Sequence, residues 1–283
     1  MPTDYLRQRQ LTAPGQARHH PNNSEVSMHK LQVHQFPCLQ DNYGYLVHDS
    51  VHNLTAAIDT PEIGPLNAAL QQQGWHLTHI FNTHHHFDHA GGNLALKDQW
   101  HCTIVGSRTD AERIPGIDVT VGDGDSFDFG EHRVDVFDVS GHTLGHIAFY
   151  FPDDHVLFSG DALFALGCGR LFEGTAAQMW SSLQKLLPLP DETLVYCAHE
   201  YTQSNARFAL SVEPQNADLQ ARARAIDQLR AAGKPTVPSL LGLEKATNPF
   251  LRPMSGDLQR TIGLVDADWV EVFARTRQLK DSF

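Results

Sequence analysis

Six consecutive residues, His84-His85-His86-Phe87-Asp88-His89, constrain this chain more than any other stretch. A strand-like run at 79–82 delivers them, and a helix expected to begin near Gly91 carries the chain away. Four potential metal ligands, His84, His86, Asp88 and His89, therefore crowd onto one tight loop. Imidazole nitrogen and carboxylate oxygen suit zinc, iron or manganese. His84 and His86 are two apart, so in an extended segment they point the same way and can share one ion. Asp88 and His89 follow where the chain turns, aimed at a neighbouring point. The pattern suggests two metals from one loop. The chain has 18 histidines, so clusters can arise by chance, but the interleaved aspartate and the strand–loop–helix setting argue against that.

Three more candidate ligands stand at expected strand ends, where loops present functional groups on a rigid scaffold. They are His142 in Ser140-Gly141-His142-Thr143-Leu144-Gly145-His146, Asp161 in Ser159-Gly160-Asp161-Ala162-Leu163-Phe164, and His199 in Cys197-Ala198-His199-Glu200-Tyr201. Alone, a strand-end His or Asp is more often a satisfied hydrogen-bonding residue. Together with the first loop they make seven ligands, enough for two sites with Asp161 shared.

Composition narrows the classes. The 283 residues can hold one large or two modest domains, and 41% apolar residues is a globular content. No apolar run approaches the roughly 20 residues of a membrane span. A net charge of −12 disfavours general nucleic-acid binding. Cys38, Cys102, Cys168 and Cys197 show no CxxC spacing, which reads as reduced thiols and a cytoplasmic location. Residues 1–27 are polar and without hydrophobic periodicity or a secretory h-region. They read as a disordered leader, with Met28 as a natural start and His19-His20 incidental.

From residue 30 the pattern turns β-rich, with strands expected at 31–36, 44–47, 54–58, 77–82, 103–105, 133–139, 146–151, 156–158 and 194–197. Helices are expected at 65–74, 176–187, 217–232 and 266–278, with Trp269, Val270, Phe273 and Ala274 as the apolar face of the last. A Pro-rich loop is expected at 234–253. The absence of Gly-x-Ser-x-Gly disfavours a serine-hydrolase elbow.

In order along the chain, HxHxDH, GHTxGH, GDxLF and the strand-end His199-Glu200 segment resemble the metallo-β-lactamase superfamily. Within it, residues 167–175 (GCGRLFEGT), His199-Glu200-Tyr201-Thr202, Asn248-Pro249-Phe250-Leu251-Arg252 and Arg277-Gln278-Leu279-Lys280-Asp281 are similar to the glyoxalase II, or hydroxyacylglutathione hydrolase, family. The resemblance covers about 28–283. It implies an α+β fold: an αββα sandwich as catalytic domain (28–200) and a helical glutathione-binding domain (201–283).

It further implies that His84, His86 and His142 hold a first divalent metal and Asp88, His89 and His199 a second, bridged by Asp161. Zinc is the implied metal, with iron or manganese open. His85 matches a position that is not a ligand, and His146 reads as structural. Arg277 and Lys280 resemble a pair holding the glycine carboxylate of glutathione, although on spacing alone they are ordinary cations at a helix C-terminus. Arg170 stands where some relatives carry lysine, Phe172 where some carry tyrosine, and Tyr201 matches a substrate-contacting tyrosine.

The implied chemistry is attack by a metal-bridging hydroxide, with Asp88 and Asp161 as its carboxylates, on the thioester of S-(2-hydroxyacyl)glutathione. Its substrate would be S-D-lactoylglutathione, giving glutathione and D-lactate in the second step of methylglyoxal detoxification. The expected partner is this small molecule, with no nucleic acid or membrane and a monomeric chain. The competing reading is a glutathione-persulfide dioxygenase with one iron; the 167–175 segment and the C-terminal cations disfavour it. A β-lactamase would be expected to carry a secretory signal, and a nuclease a basic surface.

Overall fold

Strands that are mostly buried on both faces build two sheets whose inner faces meet. The computed structural model describes residues 30–283; the leader expected at 1–27 lies outside the described residues. The first sheet holds β1 (Gln32–Cys38), β2 (Asn42–Asp49), β3 (Leu54–Ile58), β4 (His79–Phe81), β5 (Thr103–Ser107) and β6 (Val119–Val121), in that order. β1 to β3 pair antiparallel and β3 to β6 parallel. β7 (Ser126–Phe129), β8 (His132–Asp138), β9 (Ile147–Phe151) and β10 (Val156–Gly160) open the second sheet, and a small hairpin of β11 (Leu163–Phe164) and β12 (Gly167–Cys168) follows. β13 (Leu194–Cys197) and β14 (Ser239–Leu240) complete the order β14-β13-β10-β9-β8-β7.

Residues two apart share a face. Val47, Ile58 and Phe81 of the first sheet meet Phe149, Phe151 and Phe158 of the second in one core. The alternate residues face outward. Leu46, Ala57 and Ile80 pack under α1 (Ile63–Gln73) and under α3 (Asn93–Trp100), which follows a single turn, α2 (Phe87–Ala90). On the other side, Ala148, Leu157 and Val195 pack under α4 (Ala176–Leu186) and a C-terminal group of helices. These are α5 (Thr202–Val212), α6 (Ala217–Ala231), α7 (Leu241–Thr247), α8 (Gly256–Ile262) and α9 (Trp269–Asp281). The result is an αββα sandwich with a helical C-terminal domain laid on one outer face.

Several local expectations change. The helix expected to begin near Gly91 begins at Asn93 as α3 and is preceded by the separate turn α2, because the Gly92 N–H donates to the Thr60 carbonyl (3.1 Å) and not along a continuous helix. Asp88 and His89 thus sit in a helical turn, not on an open loop. The Pro-rich segment 234–253 holds β14, α7 and a 3-10 turn at Pro249–Leu251, since Leu241, Phe250 and Leu251 are buried. β6, β7 and α8 are too short for periodicity to reveal. α9 begins later and is rotated: Val272, Phe273, Thr276 and Arg277 face inward, while Trp269 is 46% exposed.

Candidate metal centre

The C-terminal ends of β4, β8, β10 and β13 lie along one edge of the sandwich, and each releases candidate ligands there. β4 runs into Thr83 and His84, β8 into the loop carrying His142, β10 into Asp161, and β13 into His199. Sequence separation of more than a hundred residues is thereby closed to a few ångströms. His84, His86 and His142 offer ligand atoms within 4.8 Å of one another, as do Asp88, His89 and His199, and also His84, His89 and Asp161. All seven expected ligands are brought together.

The separations are those of a coordination shell. His86 Nδ1 lies 3.0 Å from His84 Nε2 and 3.1 Å from His142 Nε2. Asp161 Oδ1 lies 3.5 Å from His89 Nε2 and 3.4 Å from His199 Nε2, while its Oδ2 lies 3.4 Å from His142 Nε2. Asp88 Oδ2 is 3.5 Å from His89 Nε2 and 3.6 Å from His199 Nε2. A tetrahedral ion with bonds of about 2.0–2.1 Å sets its donors about 3.3–3.4 Å apart. Buried His89 Nε2 and Asp161 Oδ1 have no hydrogen-bond partner among the described residues. Buried polar atoms are rarely left unpartnered, and a cation would satisfy both. The donor set fits two divalent ions, with Asp161 facing both groups.

For His84, His89, His142 and His199 the opposite nitrogen explains which one faces inward, whereas His86 turns Nδ1 to the cluster. Thr83 Oγ1 donates to Asp59 Oδ2 (2.8 Å), so its lone pair is free to accept from His84 Nδ1 (3.0 Å). His89 Nδ1 donates to Asp59 Oδ2 (2.8 Å), His142 Nδ1 to the Arg170 carbonyl (2.8 Å), and His199 Nδ1 to Asp41 Oδ1 (3.0 Å). Each bond fixes a tautomer with a bare Nε2 pointing at the cluster. Asn42 Nδ2 donates to Asp88 Oδ2 (3.1 Å). Asp59, Asp41, Asn42 and Thr83 were not anticipated as part of the site. Asp59-Thr60-Pro61 reads as a turn after a strand; the available signal was an aspartate at a strand end, held at φ 59°.

The electrostatics follow. Burial, reinforced by facing imidazoles, holds His84 well below its ordinary value and His86 down to about 4. Burial also lowers His89, but the Asp161 and Asp59 carboxylates outweigh it and push the ring up to about 9. Burial opposes ionisation of Asp161, yet His89 and His199 hold its carboxyl far below the usual range. The neutral rings of His84 and His86 and the ionised Asp161 offer bare donors to a cation, which would displace the proton that Asp161 and Asp59 favour on His89.

A cleft of about 580 Å³ opens from this cluster. Its wall includes His86, Asp88, His142, Asp161 and His199, and all five expected substrate contacts, Arg170, Phe172, Tyr201, Arg277 and Lys280. Phe172 is 63% exposed, with its ring 5.8 Å from His86 and 5.1 Å from His142. Tyr201 stacks on His199 at 4.7 Å. Arg277 is buried: it donates to the Cys168 carbonyl (2.9 Å) and to Asp281 (2.8 Å), over the Phe250 ring. Lys280 lies beside Ser204 and over Phe208. Burial, with Arg277, Arg207 and Arg170 nearby, lowers its pKa to about 8.

His146 and His85 stand apart from the ligand groups. His146 Nε2 accepts the Asp161 N–H (3.0 Å), and His85 Nδ1 donates to Asp110 (2.7 Å).

Comparison with known proteins agrees with this geometry. The family profile described as "Metallo-beta-lactamase superfamily" matches residues 49–199, and the one described as "Hydroxyacylglutathione hydrolase C-terminus" matches residues 200–283. The hydroxyacylglutathione hydrolase of Rhizobium etli is 56% identical over 256 residues, 90% of this chain and 100% of that protein. That of Ruegeria pomeroyi is 54% identical over 253 residues, 89% and 99%. Among solved structures, ETHE1 from Myxococcus xanthus is similar with a TM-score of 0.61 and 26% identity, covering 89% of this chain and 100% of that one. TTHA1623 in a di-iron-bound form is similar with a TM-score of 0.55 and 26% identity, covering 77% and 98%. Both halves of the chain, the ligand-bearing sandwich and the helices that close the cleft, thus match one family: the chain belongs to the hydroxyacylglutathione hydrolases, or glyoxalase II enzymes, of the metallo-β-lactamase superfamily.

Proposed function

We infer that the protein is a metal-dependent thioesterase that hydrolyses S-(2-hydroxyacyl)glutathione, S-D-lactoylglutathione foremost, to glutathione and D-lactate, the second step of methylglyoxal detoxification. One observation carries the reading: the His/Asp cluster, with the unpartnered Asp161 Oδ1, shares a cleft with Arg170, Arg277 and Lys280. The first end suits hydrolysis and the cations suit a carboxylate-bearing tripeptide. His84, His86 and His142 would hold one ion, Asp88, His89 and His199 the other, and Asp161 both. Zinc suits these donors, and iron or manganese could occupy them. Bound there, the ions would supply hydroxide near neutral pH and polarise the thioester carbonyl.

The chain's own groups do the rest. Asp88, the more exposed carboxylate of the cluster, is steadied by Asn42 and would orient the attacking water. Tyr201 is kept protonated by burial and by the carboxylates of Asp41, Asp161 and Asp88, and its hydroxyl, which faces Asp41, would turn to donate to substrate. Phe172 and Phe164 line the cleft and would place apolar surface beside the reacting carbonyl. Burial pushes the Cys168 thiol up to about 11, which leaves it a poor nucleophile and favours direct attack by water.

We propose a domain division at 200/201, with 28–200 supplying the ligands together with Arg170 and Phe172, and 201–283 supplying Tyr201, Arg277 and Lys280. No helix among the described residues is long and apolar enough to cross a membrane. With the net charge of −12, we propose a monomer that acts in the cytoplasm on a small molecule, without nucleic acid. The test is loss of S-D-lactoylglutathione thioester with enzyme of known metal content. Metal-dependent turnover is expected. No turnover with two metals bound, together with oxygen uptake on glutathione persulfide, would replace this reading by the mononuclear-iron one.

A further inference from the structure

His85 lies between two candidate ligands, yet both its ring nitrogens are engaged away from the metals. Nδ1 donates to Asp110 Oδ2 (2.7 Å), and Nε2 accepts from Arg113 Nη2. The Arg113 guanidinium also forks onto Glu173, with Nη1 3.2 Å from Oε2 and Nη2 on Oε1, and its Nη1 lies 3.4 Å from Asp110 Oδ1. Glu173 Oε2 in turn accepts the Leu144 N–H (2.8 Å). This chain of bonds joins the metal-binding segment, the turn after β5, the His142 loop and the 169–174 loop.

The last of these loops carries Arg170 and Phe172 into the cleft and leans directly on two ligands. Phe172 N–H donates to the His142 carbonyl (3.2 Å), the Arg170 carbonyl accepts from His142 Nδ1, and Gly169 passes so close that a Cβ would lie 2.0 Å from the Asp161 carbonyl oxygen. Its inner edge is therefore tied to the metal ligands, and Glu173 is its charged outer anchor. Arg113 and Glu173 are 41% and 24% exposed, and ion pairs that open to water contribute little to stability. A guanidinium is nevertheless the one side chain able to serve these acceptors at once. The pair is costly to arrange for stability alone and well suited to holding a loop.

We propose that Arg113 and Glu173, through His85 and Asp110, form a latch that positions the 169–174 loop for the glutathione portion of the substrate. The substrate named rests on the proposed function; the latch itself does not. Arg113 and Glu173 are positioning residues and touch neither metal nor reacting atoms.

The test compares Arg113→Ala, Arg113→Lys, Glu173→Gln and the Arg113→Ala/Glu173→Gln double variant in the full chain loaded with metal. Hydrogen exchange over 169–174, metal content, Tm, Kd for glutathione, and kcat and KM for S-D-lactoylglutathione are measured. Expected is faster exchange at 169–174, unchanged metal content, and Tm within about 2 °C of the parent, as for an exposed pair. Kd and KM should rise about 5-fold with kcat nearly constant, and the double variant should be no worse than either single one. Arg113→Lys should not rescue, because an ammonium cannot fork. Unchanged exchange and unchanged KM would overturn the latch, and so would loss of metal or a large fall in Tm, which would make the network a purely structural one. If the parent ignores glutathione while exchange at 169–174 still quickens in the variants, the substrate reading fails and the latch stands.

Discussion

Asp161 presents Oδ1 to His89 and His199 and Oδ2 to His142, so one carboxylate serves both halves of the cluster. Asp161→Ala is expected to lose both metals and reduce turnover to background. Two retained ions by elemental analysis, with a normal rate, would refute the assignment. The two cations of α9 should behave differently, although they are three residues apart. Arg277 is buried with hydrogen bonds to Cys168 and Asp281, and Arg277→Ala should cost about 2–3 kcal/mol in denaturant titration, the range for hydrogen bonds to a charged group. Lys280 is expected to act on KM instead. Its pKa of about 8 lies below the ordinary 10.5, so the amine is charged and binds carboxylate below about 8, and KM should climb as pH rises through that value. Because the folded value is the lower one, carrying the charge costs folding free energy below about 8, and that cost fades between about 8 and the ordinary value. Lys280→Met should flatten the KM profile; an unchanged profile would remove Lys280 from the binding role.

At the scale of elements, strand ends place the candidate ligands and glycines allow the close approaches. Gly169 lies against the Asp161 backbone, and Gly169→Ala should displace Asp161 and lower metal occupancy, readable by elemental analysis. Gly64 in α1 has open space around its missing Cβ. Gly64→Ala should therefore raise stability by about 0.5–1 kcal/mol, the helix-propensity gain alone. The strands were legible because short apolar runs bounded by turn residues are a local property, here buried on both faces. The orientation of α9 was not: its apolar residues permit more than one face, and contact of Arg277 with Cys168, 109 positions earlier, goes with the observed rotation. The break between α2 and α3 was hidden for the same reason, since it depends on Thr60 lying beside Gly92.

At the scale of the molecule, the C-terminal helices cover an outer face of the second sheet. Ala148, Leu157 and Val195 share one core with Phe208 of α5, Leu258 of α8 and Phe273 of α9. A chain ending at residue 200 would expose that apolar surface. It is expected to aggregate or to lose its near-ultraviolet circular dichroism signal, even with all seven ligands present. A soluble, cooperatively unfolding fragment would show that the sandwich is independent of the helices.

The amino-acid sequence by itself determined the donor types, their spacing on the first loop, and the short apolar runs of the strands. These depend on residue chemistry and on neighbours a few positions away. Only the tertiary structure decided which nitrogen of His89, His142 and His199 faces the cluster, because the bonds that settle it join residues such as His199 and Asp41, 158 positions apart. It also decided that Arg277 is half scaffold, and that His85 is turned outward into a network with Arg113 and Glu173. A local pattern specifies what a side chain can bind. Which partner it meets is set by the packing of two sheets and the helices around them.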